Sequence, residues 1–206
     1  MKTCIFILAT LLFTPMRINA QDVNTEPSGS FEDLRDHQTY RWIHIGSQTW
    51  MAQNLNFEVP KGSFCYNLDS AQCKTFGRLY EWSVAQKVCP AGWHLPSDQE
   101  WKVLAVSLGD QAGEKLKELG DTHWNGPDAV VRGESGFNAR AAGCKSLDPN
   151  GRTQFMGLGD FAYFWASSTA TPINKGWARY LTSGDDILHP YEEWKVWGYS
   201  IRCIKD

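Results

Sequence analysis

Hydrophobic and polar positions first alternate in TYRWIHI (Thr39–Ile45), where Tyr40, Trp42 and His44 are interleaved with Arg41, Ile43 and Ile45. A period of two sends successive side chains to opposite faces, so this run predicts a strand with two decorated faces. QTWMA (Gln48–Ala52) is β-like again after Gly46 and Ser47. A two-residue Gly-X loop between such runs predicts a hairpin with a type II′ turn. In RLYEWSVAQ (Arg78–Gln86), Leu79, Trp82 and Ala85 recur every three residues, which predicts a short helix. A better-marked helix begins at SDQE (Ser97–Glu100). The Ser97 hydroxyl can accept from the Glu100 amide while the Glu100 side chain reaches back, forming a capping box. Trp101, Leu104, Ala105 and Leu108 then make an apolar stripe, and Gly109 suits the position just past the helix end. A second short helix is expected over Ala112–Leu119, with Ala112, Leu116 and Leu119 on one side and Gly120 as its stop. From Asp121 onward glycine, aromatic and turn residues dominate. GFNARAAG, TQFMG, FAYFWASS, WARYLTS, DDILHPY and YSIRCIKD read as short strands and irregular loops.

The start of the chain has a different texture. Lys2 precedes a mostly apolar run from Cys4 to Phe13, followed by polar Thr14–Asn19 and small Ala20. That is the pattern of a secretory signal peptide over residues 1–20. The apolar run is too short for a transmembrane helix, and no later segment is apolar enough for one. Residues 21–35 read as a flexible polar leader and residues 36–206 as a single domain. Loss of residues 1–20 removes Lys2 and Arg17, leaving 18 basic against 23 acidic residues and a net charge of −5. This balance gives no footprint for nucleic acid and no attraction to anionic lipid. The expectation is an exported monomer that is secreted, periplasmic or displayed at the cell surface.

Cys65, Cys73, Cys89, Cys144 and Cys203 follow residue 20. Oxidising conditions outside the cytosol favour disulfides, and an odd count leaves one thiol unpaired or paired between chains. Spacing alone does not fix the connectivity. Cys65 and Cys73 are close enough for a local loop, and a Cys89–Cys203 bridge would tie the middle of the chain to its end.

Six stretches carry a family resemblance: TYRWIHIGSQTWMAQNLN (39–56), CKTFGRLYEWSVA (73–85), CPAGWHLPSDQEW (89–101), ESGFNARAAG (134–143), AYFWASST (162–169) and GYSIRCIKD (198–206). Their residues and order resemble the Fibrobacter succinogenes major paralogous domain family. The resemblance implies an α+β domain of C-type-lectin-like fold, shared with formylglycine-generating enzymes. That fold has a small twisted antiparallel sheet, two or three short helices and long irregular loops. It implies that Thr39–Ile45 lies beside Tyr199–Ile204, and that Cys65 bonds Cys73 and Cys89 bonds Cys203. Cys144 departs from the pattern and is the expected free thiol. Formylglycine-generating enzymes carry two reactive cysteines before the last strand. Residues 183–203 contain no cysteine before Cys203, so the resemblance does not bring that oxidase chemistry with it.

CPAGWHLPSDQEW places a cysteine, a histidine and two acids within thirteen positions. A nucleophile–base–acid reading of Cys89, His94 and Asp98 or Glu100 competes with a structural one. The structural reading prevails because a bridged cysteine is not a thiolate and the capping box already explains Glu100. Closeness in sequence is also no evidence of a triad, which is assembled in space. His94 alone is left without a structural role. The five histidines show no zinc-ligand spacing, so no metal site is expected. A hard cation such as calcium would suit the loop acids Asp185, Asp186, Glu192 and Glu193, and GPD (Gly126–Asp128) faintly resembles the sugar-binding triplets of calcium lectins. Solvated loop acids explain these residues more simply. The late aromatics are the strongest functional signal. Trp177, Tyr180, Tyr191, Trp194 and Trp197 are candidate ligand-binding residues, whereas Trp165 and Tyr199 are expected in the core. The expected function is a non-catalytic binding module for glycan or protein. The alternatives are an enzyme on the same fold and a structural protein of the cell surface that pairs through Cys144.

Overall fold

Gln38–Ile45 (β2) and Gln48–Met51 (β3) form the expected hairpin, with Trp42 opposite Met51 and Ile45 opposite Gln48. Gly46 takes φ +61°, whereas Ser47 stays at negative φ, as the first and second central residues of a II′ turn require. The structure is a computed structural model that describes residues 27–120, 122–126 and 133–206. The signal-peptide assignment over 1–20 and the first part of the leader lie outside those residues.

Part of the stretch read as leader is instead a strand. Ser28–Asp33 (β1) pairs antiparallel with β2 along its length, from Ser28 opposite Ile43 to Asp33 opposite Gln38. The Asp33 carboxylate is buried and bonds Arg35 Nη2 at 2.6 Å, which closes the turn between the two strands. Trp93–His94 (β6) and Ile204–Lys205 (β13) complete a sheet in the order β1-β2-β3-β13-β6. The resemblance put the terminal segment beside Thr39–Ile45. It lies beside β3 instead, with Ile204 opposite Trp50 and His94, because β1 and β3 already occupy both edges of β2.

The second sheet holds Ser63–Phe64 (β4), Leu79–Glu81 (β5), Ala142–Leu147 (β7), Phe161–Thr169 (β9), Lys175–Thr182 (β10), His189–Trp194 (β11) and Gly198–Tyr199 (β12). Its order is β11-β10-β9-β7-β12-β5-β4, and Thr153–Leu158 (β8) also pairs with β7. Among the described residues four short α-helices accompany the sheets, Ser70–Phe76 (α1), Trp82–Ala85 (α2), Asp98–Leu108 (α3) and Ala112–Leu116 (α4), with one 3-10 turn at Tyr66–Leu68. The chain is therefore α+β.

Two helix expectations need correction. Residues 78–86 divide into β5 and α2, since Tyr80 pairs with both Tyr199 and Ser63 and tertiary pairing overrides the local spacing. Helix α4 ends at Leu116 rather than Leu119. Lys117 turns extended, forms a parallel bridge to Ala139 and buries its ammonium against Asp185 O at 2.6 Å, leaving Leu119 exposed.

The core lies between and around the sheets. One cluster joins Trp50, Trp101, Phe137, Phe164 and Leu104, with the Trp50 and Trp101 rings 4.7 Å apart. The other joins Tyr80, Trp165, Tyr199, Met51 and Cys203. Arg202 is fully buried beside the first cluster. Its guanidinium donates to Asn54 Oδ1 at 2.6 Å, Met51 O at 3.2 Å, Asn138 O at 2.9 Å and Phe137 O, and stacks 4.4 Å over the Phe137 ring. A cation can stay in such a place because every bond it makes is charge-assisted and its planar face meets aromatic rings.

Candidate functional site

The stretch Cys89–Trp101 is a brace. Cys89 bonds Cys203 and Cys65 bonds Cys73, as the resemblance implied. Ser97 Oγ accepts from Glu100 N at 3.2 Å, and Glu100 Oε2 accepts from Ser97 N at 2.7 Å, so the capping box forms. Trp101 and Leu104 point into the core from the same helix. His94 gains the role that sequence did not supply: Nε2 lies 2.9 Å from Glu100 Oε1 and Nδ1 lies 2.6 Å from Asp206 Oδ1. Asp98 bonds the buried Arg179 at 2.5 Å and Lys102 at 2.7 Å, fixing α3 to β10. Every titratable group in the stretch is thus engaged in holding α3 against the two sheets.

Among the described residues Cys144, in β7, is the free thiol, and it is 1% exposed. Burial, and then the nearby Glu193, pushes its pKa up to about 12. A thiol so placed cannot reach another chain, which removes the pairing idea.

The late aromatics do not share one face. Strand alternation, with Trp177 opposite Glu192 and Lys175 opposite Trp194, puts Trp177 and Trp194 on the side of α3. Trp177 packs there on the core, while Trp194 is 43% exposed with Lys175 Nζ 5.7 Å from its ring. Tyr180, opposite His189, and Tyr191 project from the other side, and Trp197 stands beyond β11, 6.4 Å from Tyr199. On that second side Phe161, Tyr163 and Tyr180 are half-buried and their neighbour Tyr191 is exposed. Tyr163 lies 5.7 Å from Tyr180 and 6.2 Å from Tyr191, and His189 stacks on Tyr180 at 4.4 Å. Burial raises the Tyr163 hydroxyl well above its ordinary pKa, and burial with Glu193 pushes Tyr191 up to about 12. Both hydroxyls therefore remain neutral donors at physiological pH, and Tyr191 donates a hydrogen bond to Glu193 Oε2 at 3.1 Å. Phe161 and Tyr163 were missed in the sequence because FAYFWASS also supplies Phe164 and Trp165 to the core: Phe164 takes the opposite strand phase, whereas Trp165 shares the phase of Tyr163 and is covered by packing against Tyr199.

A polar cleft is the other concave feature. Gln38–Arg41 and Ala52–Asn56 form one wall, the end of α1 from Cys73 to Gly77 forms the other, and Asn138, Arg140 and Arg202 lie at its base. Gly77 takes φ +74°, and a Cβ there would stand 2.7 Å from Asn54 Cβ, so the two walls meet only because it is glycine. Arg140 is held by Glu118 Oε1 at 2.6 and 2.8 Å and by Thr75 O at 2.6 Å. No single stretch of sequence signals this cleft.

A family model described as the Fibrobacter succinogenes major domain matches residues 43–205. The chain belongs to that family. No curated protein and no solved structure matches it. The matched span of this major domain contains both disulfides, α3 with its cap, and the tyrosine face. It leaves β1 and Asp206 outside.

The paired acids of this major domain are also used locally. Asp185 accepts from Ile187 N at 3.0 Å and bonds His189 at 2.9 Å, and Glu193 accepts from Tyr191 and from Trp194 N. Among the described residues no three His, Cys, Asp or Glu side chains gather as a metal site would need. Of the GPD triplet, Pro127 and Asp128 lie outside the described residues.

Proposed function

We propose that the protein is an exported, non-catalytic binding module that takes a glycan on the face formed by Phe161, Tyr163, Tyr180 and Tyr191. The observation that carries this reading is the cluster of rings on a sheet side, ending at the exposed edge strand β11. Aromatic faces are electron-rich, and they attract the C–H face of a sugar ring while excluding water around it. The ring of His189, stacked on Tyr180 with its Nε2 bonded to Asp185, leaves Nδ1 as a partner for a sugar hydroxyl at the same face. Two disulfides and the signal-like residues 1–20 support export. A C-type-lectin-like fold is supported by the short helices, the irregular connections and the return of the terminal strand to the first hairpin. A non-catalytic role is supported by the bonding of Cys89 to Cys203 and by the burial of Cys144.

The test is binding of the protein to a panel of plant and bacterial polysaccharides, with Tyr180→Ala and Tyr191→Ala beside the unaltered chain. Retention on a polysaccharide that both variants lose supports the reading. Equal retention by all three proteins, or capture of proteins alone, overturns it.

A further inference from the structure

His189 stands at the β11 end of the tyrosine face, opposite Tyr180, and its two ring nitrogens have different surroundings. Nε2 lies 2.9 and 3.1 Å from the two carboxylate oxygens of Asp185. The ring is stacked on Tyr180, with 4.4 Å between centroids and 8° between planes, so a rotation would break both contacts. Nδ1 makes no hydrogen bond among the described residues and is not sealed from solvent, the side chain being 23% exposed.

A neutral imidazole carries one proton and accepts at its other nitrogen. A carboxylate can only accept, so the position of Asp185 puts the proton on Nε2 and leaves Nδ1 a bare acceptor. The aspartate is itself held. Its Oδ1 accepts from Ile187 N at 3.0 Å, and its backbone oxygen accepts from the Nζ of buried Lys117 at 2.6 Å.

The neighbouring groups sharpen the selection. The hydroxyls of Tyr163 and Tyr180 are not sealed from solvent either, but a hydroxyl both donates and accepts. Of these open groups Nδ1 alone accepts without donating. The ionised groups bonded to the side chains of this face are carboxylates, Asp185 at His189 and Glu193 at Tyr191. A carboxylated sugar would bring like charge toward them and offer Nδ1 no hydrogen. A neutral sugar can lay its C–H face on the rings and give a hydroxyl hydrogen to Nδ1.

We propose that His189 sets the ligand class of the tyrosine face, with Asp185 as its positioning residue, an assignment that rests on the glycan reading of that face. The bare Nδ1 accepts from a hydroxyl of a neutral glycan, and the face rejects a uronic-acid chain.

The experiment has two arms on the full chain at about pH 8, above the ordinary histidine range. Long-range proton–nitrogen NMR of histidine-labelled protein, with no ligand present, reads the tautomer of His189, and His189→Phe assigns its signal. The proton should be on Nε2, and Asp185→Asn, whose amide donates as well as accepts, should raise the share of the Nδ1–H form. Affinity electrophoresis then compares gels carrying hydroxyethyl cellulose or carboxymethyl cellulose, and galactan or polygalacturonate. The neutral member of at least one pair should retard the protein about fivefold more than the acidic one. His189→Phe keeps a ring on Tyr180 but lacks Nδ1, and it should weaken that retardation roughly fivefold, the scale of one lost hydrogen bond. A proton on Nδ1, equal retardation by the acidic member, or unchanged retardation of His189→Phe overturns the proposal. Loss of retardation in Tyr180→Ala alone would then leave the glycan reading standing. No retardation in any of the four gels overturns both.

Discussion

The imidazole of His94 is shared between the carboxylates of Glu100 and Asp206, at 2.9 and 2.6 Å. Burial lowers the pKa of the ring, but the two carboxylates outweigh it and the net shift is upward. The proton is therefore held more tightly in the folded chain than in the unfolded one. Its contribution is full below the unfolded histidine value of about 6.5 and is lost as pH rises through the higher folded value. Thermal unfolding followed from pH 6 to pH 8.5 should show a falling midpoint. His94→Gln should flatten that fall by roughly 1–2 °C, the scale of a solvent-screened ion pair in a chain this long. An identical slope in the variant removes this role for His94.

The Asp98–Arg179 pair should be far more costly to break. The Arg179 side chain is 4% exposed, and the carboxylate of Asp98 sits below its ordinary pKa because the bonds from Lys102 and Arg179 overcome its burial. Asp98→Asn keeps the shape and leaves Arg179 buried without its counter-ion, which should destabilise the chain by about 3 kcal/mol in urea unfolding. Lys102→Ala, which removes only the exposed partner, should cost less than about 0.5 kcal/mol.

Removing the two disulfides should give unequal effects. The bridge between Cys65 and Cys73 spans 8 positions, and that between Cys89 and Cys203 spans 114. Loop-closure entropy assigns them about 2.5 and 5 kcal/mol respectively. Paired serine substitutions, each measured by denaturant unfolding, should reproduce that order. A larger loss from Cys65→Ser/Cys73→Ser would contradict it.

Cys144 should be inert toward a thiol reagent at pH 8 in the native protein. It should react with one equivalent once the chain is unfolded, because both its burial and its pKa of about 12 disappear together. Non-reducing electrophoresis should accordingly show no dimer through this residue.

Local signals in the sequence were reliable where one short segment carries the whole instruction. The hairpin at Gly46 and the Ser97–Glu100 cap are such cases, since each is satisfied by residues within a few positions. The phase of Trp165 and Tyr199 followed from their strand context, and both are in the core. Distant partners account for what was missed. β1 is a polar run that becomes a strand only because β2 offers it an edge, and β5 is a strand only because β12 and β4 flank it. The late aromatics were legible as a group but not as two faces, because the register of β10 on β11 decides which way each ring points. The cleft drew on residues 38–41, 52–56, 73–77, 118, 138, 140 and 202, so no window of sequence contained it.

Residues 198–205 supply an interior strand to each sheet. β12 is flanked by β7 and β5, and β13 by β3 and β6, while Arg202 between them ties Met51 and Asn54 to Phe137 and Asn138. The last strands in chain order are thus the keystones rather than the trim. A nascent chain that has not yet released residue 205 lacks an interior strand of each sheet, the buried cation and half of the long disulfide. Neither sheet can complete its pairing until those residues are present.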